Sequence, residues 1–230
     1  MIEIVPIRLT VGREGKIVSR VLIGIPSADA WKAKFGIGLV AITCNAALSG
    51  INVVPASVQQ AYINESRNQL ARMAIGSHCE YLFMMDDDMM APPDCLIRLV
   101  ELNLDIVGAI YNMRAPPYHT LGENVDGSRD FTEGGLKEMA YIPTGCILIK
   151  TKIFKKMRTP WFELKWKEVY KTETNPDGLL GEDVGFCYKA RELGYKVHCD
   201  FDLSYQVVHL GEQGIRLDPT LREIEGLEVG

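Results

Sequence analysis

Tyr81-Leu82-Phe83-Met84-Met85-Asp86-Asp87-Asp88 is the stretch that decides the fold. A run of large apolar residues ends abruptly in three carboxylates. An apolar run of this length, stopped by turn-forming polar residues, predicts a fully buried central strand. Open α/β sheets bind their ligands at the carboxyl ends of such strands. Adjacent acids repel one another and, ionised, stay clustered only in water or around a cation. The stretch therefore predicts a strand that delivers carboxylates to a divalent metal at the mouth of an α/β sheet.

Working outward, the preceding segment is strand, helix, strand, helix. Arg20-Val21-Leu22-Ile23-Gly24-Ile25-Pro26-Ser27 is a core strand stopped by Pro-Ser, and residues 34–48 form an apolar helix ended by Ser49-Gly50. Ile51 to Pro55 is a second strand, and a second helix is expected from about Ser57 to Ile75. This alternation predicts a mostly parallel, doubly wound sheet flanked by helices.

Beyond the acids, a helix is expected from Pro92 to Glu101 and a strand over Asp105 to Ile110. Residues 115–135 carry Pro116-Pro117 and several glycines, which predicts a long loop and a candidate acceptor-side lid. A strand over residues 141–149, a short helix around residues 152–157 and an edge strand over residues 163–167 follow. Residues 171–180 are a polar loop. A helix introduced by Gly181-Glu182-Asp183, strands over residues 196–199 and 205–209, and a charged tail from Glu212 complete the chain. Residues 1–18 are an irregular or hairpin lead-in with a turn at Gly12 and Glu14-Gly15. The expectation is one domain over residues 1–230, its halves meeting near residue 110.

With 47% hydrophobic and 24% charged residues, the composition is that of a globular chain, and a net charge of −5 excludes a nucleic-acid binder dominated by phosphate contacts. Six scattered cysteines without zinc-like spacing predict buried, reduced thiols and a cytoplasmic setting. No signal peptide is evident. No charge falls between Lys34 and Glu65, but Asn45, Ser49-Gly50, Asn52, Pro55 and Gln59-Gln60 break the stretch, so no membrane span is expected.

The candidate chemistry begins with Asp86 and Asp88, which on an extended segment point to one side and could share a cation. In Gly181-Glu182-Asp183, a carboxylate in a helix's first turn is stabilised as the anion, which suits a base at neutral pH and equally suits plain capping. His209 ends an apolar strand, either as a core residue or as a nitrogen ligand; mixed oxygen and imidazole ligation would favour Mn²⁺ over Mg²⁺. Arg67 and Arg114 could each bind phosphate or lie on the surface. Trp161 could stack on a sugar or pack in the core.

These pieces, in this order, resemble the family 2 glycosyltransferases of GT-A fold. The resemblance spans Arg20 to Gly211 and rests on Ile25-Pro26-Ser27, Ser66-Arg67-Asn68, the Asp86-Asp87-Asp88 triplet, Pro143-Thr144-Gly145-Cys146, Gly181-Glu182-Asp183 and His209. It implies a nucleotide-binding, Rossmann-like half over about 20–110 and a smaller acceptor and catalytic half over about 111–211. It implies transfer of a sugar from a UDP-, GDP- or dTDP-linked donor to an acceptor hydroxyl, with Mn²⁺ or Mg²⁺ on the diphosphate. Asp86 and Asp88 stand at the DxD positions, Asp86 on ribose or metal and Asp88 on the metal, with His209 as a further ligand. Pro26, Ser27, Arg67 and Asp87 would lie on the nucleotide side, and Trp161, Glu182 and Arg114 on the acceptor side. Asp183 matches the general base of an inverting displacement, although a retaining outcome stays open. The family's acidic residue after the second strand is missing near Val54-Pro55-Ala56-Ser57, so the nucleotide base is undetermined. A nucleotidyltransferase that forms nucleotide sugars and a non-catalytic binding protein of the same fold are the alternatives. The first lacks the expected Gly-rich, basic loop after Ile25-Pro26-Ser27.

Overall fold

The structure, a computed structural model, describes residues 19–59, 61–116, 118–166, 171, 176–211 and 214–217. The lead-in expected over residues 1–18 lies outside the described residues, as does the tail expected from Glu212 apart from residues 214–217, of which 214–216 form a strand. In chain order the elements are β1 (Arg20–Ser27), α1 (Ala33–Leu48), β2 (Asn52–Gln59), α2 (Ile63–Gly76), β3 (Tyr81–Met85), β4 (Met89–Met90), α3 (Cys95–Glu101), β5 (Ile106–Gly108), β6 (Tyr111–Asn112) and β7 (Thr120–Leu121). There follow β8 (Glu123–Asn124), β9 (Leu136–Tyr141), β10 (Cys146–Lys150), α4 (Lys152–Lys156), β11 (Lys165–Trp166) and β12 (Leu179–Leu180). The described part closes with α5 (Glu182–Glu192), β13 (Val197–Asp200), α6 (Phe201–Ser204), β14 (Val208–Leu210) and β15 (Gly214–Arg216).

An eight-stranded sheet in the order β2-β1-β3-β10-β5-β13-β9-β8 forms the centre. β2, β1 and β3 are mutually parallel, as are β5 and β13, while β10 and β9 run against their neighbours. The fold class is therefore the expected α/β, a mostly parallel sheet flanked by helices. Strand periodicity divides the core in two. Val21, Ile23, Tyr81, Phe83, Met85 and Leu148 face α1 and α3, whereas Leu22, Leu82, Met84, Ile147 and Ile149 face α2, α4 and α5. A sheet covered on both faces requires continuous apolar strands, which is why Tyr81 to Met85 is buried without interruption.

Several boundaries differ from expectation, each for a local reason. β2 continues through Pro55 to Gln59, because at the sheet edge a residue without an N–H costs no ladder bond; α2 accordingly starts at Ile63 and not at Ser57. Pro92 and Pro93 form a turn before α3 rather than its first turn, and β5 covers only Ile106–Gly108. The single strand expected over residues 141–149 is two, β9 and β10, which are not neighbours; Pro143 to Gly145 turns the chain between them. The loop expected over residues 115–135 contains β7 and β8. α6 lies between the last two expected strands, its N-terminus capped by Asp200, which accepts from the Leu203 N–H at 3.0 Å, and the strand expected over residues 205–209 begins only at Val208, as β14. Residues 167–170 and 172–175 lie outside the described residues. All six cysteines are free and five are buried. No helix among the described residues is long and apolar enough to cross a membrane.

The topology creates the site. From β1 the chain moves one way to β2 and then back across to β3, so the connections diverge at the carboxyl ends of β1 and β3 and leave a crevice there. Ser27 and Asp86 stand on its two sides. A second, three-stranded sheet, β15-β14-β4, starts immediately after the acids and places His209 opposite Met89.

Candidate active site at the ends of β1 and β3

The acidic triplet is a turn and not an extended segment. The Met89 N–H donates to the Asp86 carbonyl at 3.1 Å, so Asp87 and Asp88 occupy its corners. The three carboxylates consequently leave in three directions, and each finds its own partner. Asp86 accepts from one Arg67 guanidinium nitrogen at 3.2 and 3.1 Å. Asp87 accepts from the Ser27 hydroxyl at 2.5 Å, which ties the end of β1 to the turn. Asp88 receives Arg114 at 2.5 Å and lies 3.3 Å from His209 Nε2.

Electrostatics separate the acids further. Burial pushes the Asp86 carboxyl up; Arg67 opposes this, and the charges of Asp88 and Asp183 add to the rise. Burial presses on Asp88 too, but the hydrogen bond and charge of His209, then the charges of Arg114 and Lys32, outweigh it and hold this carboxyl below the usual range. For His209, burial works against the cation, yet the hydrogen bonds to Asp88 and to the Asn112 carbonyl prevail and raise its pKa.

A cation would find two prepared donors here. His209 Nδ1 lies 2.9 Å from the Asn112 carbonyl oxygen, which can only accept, so that nitrogen carries a proton. Nε2 is left to face Asp88, an arrangement in which a fixed second hydrogen bond orients an imidazole for ligation. Asp88 and His209 thus fit an Mn²⁺ or Mg²⁺ that would complete its shell with ligands from outside the protein. Asp86, the third ligand expected, is held differently in this structure. Both oxygens of Asp86 are engaged by Arg67, and among the described residues no three His, Cys, Asp or Glu side chains gather to hold a metal.

Asp183 lies in the first turn of α5, half-buried, its Oδ1 accepting from the Val184 N–H at 2.7 Å. It is near enough to Asp86 and Tyr111 to help raise both pKa values. Glu182, beside it, turns inward to Arg67. Pro26 is buried at the end of β1. Arg114 is well exposed and pairs with Asp88. Trp161 corrects an expectation: only 5% exposed, it packs its ring edge-on against Phe154 and donates its indole N–H to the Phe154 and Met157 carbonyls at 2.8 and 3.1 Å. Face and N–H are both spent on the core, leaving no platform for a sugar.

Sequence reasoning gave no role to three residues that build this site. Tyr111 packs edge-on against the His209 ring at 5.2 Å, and its hydroxyl accepts from the Gly145 N–H at 3.0 Å. Gly145 must lack a side chain, since a Cβ there would stand 2.3 Å from the Tyr111 hydroxyl and 2.9 Å from Asp86 Oδ2. Asn68 accepts from the Trp161 and Phe162 N–H groups at 2.9 and 3.2 Å and donates to the Phe162 and Asn64 carbonyls at 2.7 and 2.8 Å. Asn68 and Gly145 stood in motifs that carry the resemblance, without a role of their own, and nothing local pointed to Tyr111.

With this geometry described, comparison with known proteins adds the fold. The structure of A197 from STIV overlaps 90% of this chain and 98% of its own at a TM-score of 0.57 and 17% identity. This chain shares that fold. A mutant of Drosophila beta-1,4-galactosyltransferase 7, solved with manganese, UDP-Gal and xylobiose, overlaps 91% of this chain and 76% of its own at a TM-score of 0.46 and 13% identity. UDP-glucose pyrophosphorylase with UDP-glucose overlaps 88% and 94% at a TM-score of 0.45 and 10% identity. These two superpositions are too loose to transfer an activity. No protein-family model and no curated protein matches the sequence.

Proposed function

We propose that the chain is a metal-dependent glycosyltransferase that moves a sugar from a nucleotide-sugar donor to an acceptor hydroxyl. The observation that carries the proposal is the Asp88–His209 pair, with His209 oriented by the Asn112 carbonyl, at the sheet's topological switch point and two residues from Asp86, on which the charge of Asp183 acts. Asp88 and His209 would hold Mn²⁺ or Mg²⁺, which supplies charge neutralisation for the departing diphosphate. Ser27 and Asp87, joined across the crevice, and the backbone at Pro26 form the wall on the nucleotide side. Asp86 keeps lone pairs for a ribose hydroxyl while Arg67 holds it in place. Arg114, exposed and paired to Asp88, can turn to the diphosphate without disturbing the core.

Asp183 is the general base of this reading. From the first turn of α5 it would take the acceptor proton as the hydroxyl attacks the anomeric carbon from the face opposite the diphosphate, inverting that centre. The test is a screen of UDP-, GDP- and dTDP-sugars with Mn²⁺ on the full chain, scored by release of nucleoside diphosphate. One donor class should give turnover that Asp183→Asn lowers by about 10² or more. Release of pyrophosphate from a nucleoside triphosphate and a sugar phosphate would indicate the nucleotidyltransferase instead, and binding without turnover would contradict both enzymes.

A further inference from the structure

Arg67 and Glu182, expected on the nucleotide and acceptor sides respectively, meet each other in the interior. They are 4% and 9% exposed, and 115 residues separate them in sequence. One guanidinium nitrogen of Arg67 donates to Glu182 Oε1, and the other spans both oxygens of Asp86. Arg67 Nε is buried without a partner among the described residues, so the side chain is not placed to satisfy its own donors. Nor is stability a sufficient reason for the cluster. Desolvating one cation and two anions costs more than their attraction readily returns, and apolar replacements of such clusters are often as stable.

What the cluster fixes is geometry. Asp86 follows β3 in the first half of the chain, Glu182 opens α5 in the second, and Arg67 on α2 grips both. A planar guanidinium can hold two carboxylates at a set angle, which a lysine ammonium cannot. Asn68, the next residue on α2, fixes the backbone of Trp161 and Phe162, and Phe162 stacks on Phe186 of α5 at 4.7 Å. A single turn of α2 therefore sets where α5 begins relative to the acidic turn.

We propose that Arg67 and Glu182 are positioning residues whose buried ion pair holds the first turn of α5, and with it Asp183, in register with the acidic turn after β3. The inference rests on Asp183 being the general base. It assigns Arg67 no contact with phosphate and Glu182 none with the acceptor. Displacing a reacting group by on the order of 1 Å costs roughly 10² in rate, so the effect is expected in kcat and not in donor affinity.

The test uses the full chain and the nucleotide sugar that gives Mn²⁺-dependent turnover in the screen. Glu182→Gln keeps the shape and an acceptor but removes the charge; Arg67→Lys keeps the charge but not the fork. Both should lower kcat about tenfold or more; Glu182→Gln should change KM for the donor less than about threefold, whereas Arg67→Lys, which also loosens Asp86, should raise it as well. Added to Asp183→Asn, Glu182→Gln should cost nothing further, because it acts through that residue. Unchanged kcat in both single variants overturns the inference, as does a loss that adds in full to that of Asp183→Asn. If Glu182→Gln does not fold, Arg67→Lys carries the kcat readout, alone and added to Asp183→Asn. Turnover that needs Asp88 but is indifferent to Arg67 and Glu182 defeats this inference alone; a wild-type chain that turns over no nucleotide sugar defeats the functional reading and this inference with it.

Discussion

At the scale of single residues, the site is defined by what each carboxylate is attached to. Asp86, Asp87 and Asp88 are consecutive and chemically alike, yet one is gripped by Arg67, one by Ser27 and one by His209 and Arg114. The sequence showed the acids, Asp183 and His209 because residue type carries that signal. It could not show the partners, since a contact such as Tyr111 with Gly145 depends on two strands being brought together. Gly145 offers a direct check. In Gly145→Ala the new methyl would meet the Tyr111 hydroxyl at 2.3 Å, so one of them must move. Such overpacking should cost about 1–3 kcal/mol in a denaturant titration and displace Asp86. Asn68→Ala removes four hydrogen bonds from buried backbone partners and should cost about 3 kcal/mol by the same measurement.

At the scale of elements, the strand–helix–strand–helix–strand beginning was legible because apolar periodicity is local. Arg20 to Ser27 and residues 34–48 fell within a residue of β1 and α1. The failures share one cause: pairing decided the outcome. Ser57 to Gln59 joined β2 because β1 offers a parallel partner as far as Ser27. Trp161 entered the core because Phe154 and two carbonyls lie beneath it; Trp161→Ala should therefore destabilise the fold by about 3–5 kcal/mol. The packing of α5 also carries a pH dependence. Burial works to raise the Glu163 carboxyl, but hydrogen bonds from Lys189 of α5 and from Lys165 outweigh it and hold it below its ordinary 4.5. A depressed carboxylate contributes stability that is fully present above that ordinary value and disappears as pH falls through the lower folded one. Thermal melts from pH 6 downward should show this loss begin below about pH 5, and Glu163→Gln should make the acid limb shallower.

At the scale of the molecule, the sheet order was the least legible property. β10 inserts antiparallel between β3 and β5, and β13 returns beside β5 from about 90 residues away; neither follows from local pattern. The insertion matters for the site. β10 brings Gly145 against Asp86, while the small sheet β15-β14-β4 brings His209 against Asp88. One end of the fold thereby collects residues from both halves of the chain, and the central claim is that they cooperate around a divalent cation and a nucleotide sugar. Mn²⁺ titrated into the full chain with the best nucleotide-sugar donor, comparing the wild type with Asp88→Ala, tests that claim most directly. Saturable, Mn²⁺-dependent turnover is expected, falling by at least about 10² in the variant. Metal-dependent turnover that persists unchanged in Asp88→Ala would contradict it.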